Sequence, residues 1–148
     1  FFIMRNMSTH LNFELEVAKN NSEENPIFYL QYAHARICTM IKKALNSDYN
    51  INNDKNLQLL NEKEESELIL KMTYFPDMIK NSYNKLDPQI ISNYLETLAA
   101  KFHKYYAKYR IINDDKKLTE SRLFLIDSLR IILDNGLNVL GIKAKEKM

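Results

Sequence analysis

Residues 25–45 read NPIFYLQYAHARICTMIKKAL, and this run decides the fold. Asn25 is a residue type whose side chain accepts hydrogen bonds from the first free N–H groups of a helix. Pro26 lacks an N–H and has its φ preset, so it suits the first helical position. At ~100° per residue, Ile27, Leu30, Ala33, His34, Ile37, Cys38, Met40, Ile41, Ala44 and Leu45 share one broad face. Phe28, Tyr29, Tyr32, Arg36, Thr39 and Lys43 share the other. A helix that serves only a core has a polar back; this one calls for contacts on both sides, as a sandwiched helix does.

The rest of the chain follows the same pattern. It has 148 residues, 45% hydrophobic and 27% charged, enough for one well-cored domain. With only 2 glycines and 3 prolines, it lacks the turn residues that β folds need, which predicts an all-α protein. Upstream, Ser8 is placed to cap a short segment reaching Lys19, followed by the polar turn NNSEEN. Downstream, residues 46–56 (NSDYNINNDKN) are the most loop-like stretch. A helix over about 62–74 is predicted to turn Leu68, Ile69 and Met72 inward. Pro76 then starts a short helix to about Leu86. Asp87-Pro88 opens another, with Ile91, Leu95, Leu98, Ala99, Phe102, Tyr106 and Tyr109 on one stripe, ending near Ile112. After the turn NDDKK, a last long helix starts near Thr119 and is expected to break at Gly136. No repeat or internal linker is visible. The expectation is a single bundle of about five to six helices.

Catalytic chemistry is not encoded here. His10, His34 and His103 are far apart and lack metal-ligand spacing. His34 and Cys38 share a helix face without further ligands, so a hydrogen-bonded core histidine and a buried free thiol are expected, the latter suiting a reducing cytoplasm. There is no glycine-rich phosphate loop, and Glu64 and Glu65 read as a solvated face. No apolar run approaches the ~18–20 residues of a membrane span, and FFIM is too short for a signal peptide. The abrupt apolar start suggests a cut through a larger polypeptide. The net charge of +2 is too small to decide for or against nucleic acid.

Local clustering is more informative. Residues 101–110 read KFHKYYAKYR. Lys101, Lys104 and Lys108 form a stripe at helical spacing, bordered by Tyr105 and Tyr94. His103 and Arg110 lie on the opposite flank. Cations attract phosphate and rings stack on exposed bases, a pairing suited to single-stranded nucleic acid. A lysine-rich solvent face over an aromatic core explains the segment equally simply, and taken alone the segment favours that account. In the last helix, Arg122 and Arg130 project near the apolar side. Arg130 has Asp127 and Asp134 at helical spacing; Arg122 has no obvious local partner beyond Glu120.

Read together, these stretches resemble the C-terminal part of arginyl-tRNA synthetase, a class I enzyme. NPIFYLQYAHARIC resembles the helix opening its C-terminal domain, and FFIMRNMSTHLNFELEVA the stretch leaving its catalytic domain. LETLAAKFHKYYAKYRII is similar to the family's aromatic helix. IDSLRIILDNGLNVLGI corresponds to the Asp-Ala-Leu-Arg segment that names the anticodon-binding fold, with Ser128 in place of alanine. Tyr109 stands where many members have cysteine, and residues 46–61 match poorly. The terminal Lys-Met resembles the family's ending. The nucleotide-binding motifs of class I synthetases do not occur in this sequence.

The resemblance implies a helical anticodon-binding domain over 25–148, with 1–24 as the tail of the catalytic domain and a connector. It implies an arginine–tRNA ligase as parent, using ATP with magnesium, and a fragment inactive by itself with no cofactor of its own. The implied partners are the tRNA(Arg) anticodon loop and the catalytic domain, in a cytoplasmic monomer. The groove between residues 27–45, 88–112 and the C-terminus would receive the loop. Tyr105 and Tyr106 are the candidates to stack on bases; helical periodicity turns Tyr106 inward and Tyr105 outward. Lys101, Lys104, Lys108, Arg36 and Arg110 would hold phosphates. Tyr32 lies on the face that meets either tRNA or the catalytic domain, and Met148 would contact a base or the bundle. The alternative is a helical interaction or docking module that binds no nucleic acid.

Overall fold

In the computed structural model, residues 25–47, 49–51 and 56–148 are described; the expectations for residues 1–24 lie outside them. The described residues form α1 (Pro26–Leu45), a 3₁₀ turn (Leu57–Leu59), α2 (Lys63–Thr73), α3 (Phe75–Lys85), α4 (Gln89–Lys108) and α5 (Lys116–Val139). No strand occurs among them. The all-α bundle is as the sequence predicts. Among the described residues no helix is long and apolar enough to cross a membrane.

α4 is the centre of the assembly. α1 and α5 pack together and on it from one side, α2 and α3 from the other. Leu30, Ala33, Ile37 and Ala44 of α1 meet Leu95, Leu98, Ala99 and Phe102 of α4 and Leu123, Ile126, Leu129, Leu133 and Leu137 of α5 in one continuous core. Each fully buried leucine or isoleucine contributes roughly 1.5–3 kcal/mol of transfer free energy.

The helix ends follow local chemistry. Asn25 Oδ1 accepts from the Ile27 and Phe28 N–H groups (3.1 and 3.5 Å), with Pro26 in the first turn. Asp87 accepts from the Gln89 N–H (3.0 Å). Asp115 caps α5 through the Lys117 and Leu118 N–H groups. Glu62 and Glu65 form a reciprocal capping box on α2.

Four expectations are corrected. α5 does not break at Gly136 but runs on to Val139. The glycine serves packing: a Cβ there would lie 2.6 Å from Leu95 Cδ2, so the Leu95 side chain of α4 fills the space a side chain at 136 would need and would have to shift to admit one. The helix ends instead at Gly141, φ +72°, where Ile142 N–H bonds back to the Leu137 carbonyl and Gly141 N–H to that of Asn138. α4 stops at Lys108 rather than near Ile112, with Tyr109 extended (φ −122°, ψ 138°). Ile69 is 40% exposed, because Glu65, Leu68 and Met72 supply the inward row of α2. Glu64 and Glu65 lie on no solvated face; both are buried.

A candidate nucleic-acid interface

The two sides of α4 carry different chemistry. Toward α2 lie Tyr94, Lys101, Tyr105 and Lys108. Lys101 Nζ reaches Glu67 (2.6 Å), and Lys108 Nζ reaches Glu64 (3.0 Å). The Tyr94 hydroxyl donates to the Lys71 carbonyl (2.8 Å), and burial pushes its pKa up to about 12. Lys104 lies at the outer edge of this side, exposed and without an ion pair among the described residues.

The Tyr105 reading is overturned. Tyr105 is 0% exposed and donates its hydroxyl to Glu65 Oε1 at 2.8 Å. The same oxygen accepts from Arg122 Nε at 2.8 Å, while Glu65 Oε2 accepts from the Glu62 N–H. Burial first, then the Glu65 charge, pushes the Tyr105 hydroxyl well above the usual phenol range. It remains a donor. Arg122 thus has a partner 57 residues away. An arginine amid apolar positions signalled this buried pair, but no local spacing could name Glu65.

Beside the pair, the Lys108 ammonium draws Glu64 down to about 2, with help from the backbone and Tyr109. Lys108 is held charged well above its ordinary value by Tyr109 and Glu64. The stripe is therefore largely neutralised by α2.

Toward α1 the surface opens into a groove. One part, about 190 Å³, is lined by Tyr32, Ala35, Arg36, Thr39, Met40, Lys43, Tyr106 and Met148. The adjoining part, about 330 Å³, is lined by Met40, Lys43, Tyr106, Tyr109, Arg110, Ile111 and Ile112. No aspartate or glutamate among the described residues lines either part. The Arg36 guanidinium lies 4.8 Å from the centroids of both Tyr32 and Tyr106, a cation–π arrangement that fixes a charge against two rings. Tyr32 continues onto His103 at 5.8 Å and Phe28 at 6.4 Å.

The C-terminal strap closes one edge. Gln31 Nε2 donates to the Lys143 carbonyl (2.8 Å), His34 Nδ1 to the Lys145 carbonyl (2.9 Å), and Lys42 pairs with Glu146 (2.8 Å). These bonds lay the tail along α1 and bring Met148 to the groove. His34 is the hydrogen-bonded core histidine expected, with the buried Cys38 thiol at 3.6 Å. Burial raises the Cys38 pKa. Arg130 pairs with Asp127 at 2.7 Å, also as expected. Among the described residues no cluster of histidine, cysteine or carboxylate could hold a metal ion.

The groove therefore gathers Tyr32, Arg36, Tyr106, Arg110 and Met148, and separates them from Lys101, Lys104, Lys108 and Tyr105. Tyr106, which periodicity placed inward, is the half-exposed ring, and Tyr105 is the core residue. Lys43, read from the sequence only as part of the second face of its helix, lines both parts.

Comparison with known proteins bears on the family and the fold. The family model described as the DALR anticodon binding domain matches residues 30–148. An arginine–tRNA ligase from Salinibacter ruber is 42% identical over 148 residues, covering all of this chain and 26% of that protein. One from Geotalea daltonii is 41% identical over 150 residues, covering 100% and 27%. Among solved structures, an arginyl-tRNA synthetase from Campylobacter jejuni superposes with TM-score 0.86 at 28% identity, over 99% of this chain and 32% of that one. The Thermus thermophilus arginyl-tRNA synthetase gives 0.72 at 28% identity, over 88% and 22%. The chain spans about a quarter of the length of the curated relatives it matches.

Proposed function

The chain belongs to the DALR anticodon binding domain family, and from that premise we propose that its groove receives the anticodon loop of tRNA(Arg). The parent protein in this reading is an arginine–tRNA ligase, in which a separate catalytic domain uses ATP and magnesium. Residues 1–24 are the tail of that domain and the connector; residues 25–148 are the anticodon-binding part, inactive alone. The enzyme works in the cytoplasm as a monomer.

One observation carries the proposal: a concavity, lined by no aspartate or glutamate among the described residues, that presents Arg36 against Tyr32 and Tyr106 beside Lys43 and Arg110. Tyr106 and Tyr32 offer faces to splayed bases, which stack on such rings with about 1–3 kcal/mol each. Arg36, Lys43 and Arg110 neutralise phosphates. Met148 supplies a flexible apolar contact at the strap's end. Lys104, on the far side of α4 and without an ion pair among the described residues, contributes long-range attraction, as do Lys101 and Lys108 to the extent that their glutamates leave them free.

Binding of an anticodon stem-loop to the full-length polypeptide, measured against salt, tests this. Three phosphate contacts on a single strand predict a log–log slope of about −2. A cognate loop should bind more tightly than one with another anticodon. A flat salt profile without loop preference would instead favour the docking-module alternative.

A further inference from the structure

Arg122 is a cation placed within the interior row of α5, only 7% exposed. Its Nε donates to Glu65 at 2.8 Å. Its Nη1 donates to the carbonyl oxygen of Arg110 at 2.9 Å, and its guanidinium lies 5.4 Å from the Tyr109 ring centroid. The segment it grips is not helical, since α4 has ended at Lys108. That segment, Tyr109–Ile112, is one wall of the groove. Its far end is tied to the same helix, where Asn113 N–H donates to Thr119 Oγ1 at 3.0 Å.

Stability alone does not call for this arrangement. Apolar residues of similar volume usually serve a core as well as a buried ion pair, or better. What an apolar residue cannot supply is a directed bond to a loop carbonyl. Glu65 accepts Arg122 Nε, and is itself fixed by Tyr105 and the Glu62 N–H, leaving Nη1 aimed at Arg110. A non-helical wall lacks the ladder that would fix it, so such a bond sets where its side chains point.

We propose that Arg122 is a positioning residue: the Glu65–Arg122 pair pins the backbone at Arg110 and so aims the Arg110 guanidinium at ligand phosphate. Arg122 touches no ligand itself. The inference rests on the anticodon-loop reading.

A double-mutant cycle on the full-length polypeptide tests it, with fluorescence anisotropy of a labelled anticodon stem-loop as readout. Arg122→Lys keeps a charge for Glu65 but not the two-directional fork. It should weaken binding about tenfold, as should Arg110→Ala, and the double variant should be no weaker than about tenfold, because both remove one interaction. Glu65→Gln, which keeps an acceptor for Tyr105, should show the same coupling and serves if Arg122→Lys does not fold. Losses that multiply to about a hundredfold, or unchanged affinity in Arg122→Lys, would overturn the inference and leave the anticodon reading standing. Failure of the unaltered protein to bind the loop would overturn both.

Discussion

The two sides of α4 hold nearly the same residue types and do opposite things. On the α2 side, Tyr94, Tyr105, Lys101 and Lys108 are matched one by one to a carbonyl and to glutamates, and only Lys104 at the outer edge has no ion pair among the described residues. On the α1 side, tyrosines and cations converge with no aspartate or glutamate among the described residues between them. A basic-aromatic pattern is therefore not by itself a binding surface. What distinguishes the two is the neighbouring helix: α2 brings Glu64, Glu65 and Glu67 to the first side, whereas α1 brings Arg36 and Lys43 to the second. A matched surface stabilises the fold, and an unmatched one keeps its potential for a ligand.

The strongest way to break the comparison is Glu65→Ala. It leaves the Arg122 guanidinium buried without its carboxylate and Tyr105 without its acceptor. Removing one member of a buried pair costs about 3–5 kcal/mol, a large share of a domain's ~5–15 kcal/mol. Urea unfolding should show the midpoint collapsing. A loss under about 1 kcal/mol would mean the matched side is no more than a surface network.

Adjacent tyrosines sharpen the contrast. Tyr106→Ala should weaken stem-loop binding by about 1–3 kcal/mol with little change in unfolding midpoint, since its ring is half-exposed. Tyr105→Phe removes only a buried hydroxyl and should do the reverse. It should lower stability by about 1.5–3 kcal/mol, as loss of a hydrogen bond to a charged group does, with affinity little changed because the Glu62 N–H and Arg122 still hold Glu65. A stem-loop titration and a denaturant curve on each variant decide the matter; an affinity loss in Tyr105→Phe alone would reverse the assignment of sides.

That pair also marks how far the sequence could be read. Asn25-Pro26 and Asp87-Pro88 announced their helices because caps are local chemistry, and the apolar stripe of α1 named its core because the period is local too. Tyr105 and Tyr106 lie ~100° apart on a helix packed from both sides, so the periodicity that turns Tyr105 outward misleads; only the position of α2 decides. Glu65 read as solvated for the same reason, its partners being 40 and 57 residues away. Gly136 looked like a stop because a sequence shows a glycine's freedom and not Leu95 against it. The cation set was half legible: Arg36 and Arg110 lie in the groove, while the conspicuous lysine stripe points elsewhere.

Acid separates the sides next. Glu64 has its folded pKa depressed from 4.5 to about 2. Its contribution is present above about pH 4.5 and is lost as pH falls toward about 2. Lys108, with its pKa raised, loses its contribution only as pH rises above the ordinary lysine range. Unfolding free energy should thus decline on acidification through that lower window, less steeply in Glu64→Gln. No aspartate or glutamate among the described residues of the groove lining adds to the decline. Equal acid slopes in the two proteins would show that the Lys108–Glu64 contact carries little.

The smallest effects come from single exposed lysines, and there the comparison is most demanding. Lys108→Gln removes an exposed partner of an ion pair, which changes stability little because solvent screens it, and should leave stem-loop affinity within about twofold. Lys43→Gln should leave stability unchanged, because Lys43 is exposed and makes no ion pair among the described residues, yet lower the steepness of the salt dependence by about 0.7, one single-strand phosphate contact. Both changes remove one positive charge. If net charge governed binding, the two salt profiles would shift together. If the groove governs, only that of Lys43→Gln moves, since its charge faces a concavity lined by no aspartate or glutamate among the described residues and that of Lys108 is already engaged by Glu64.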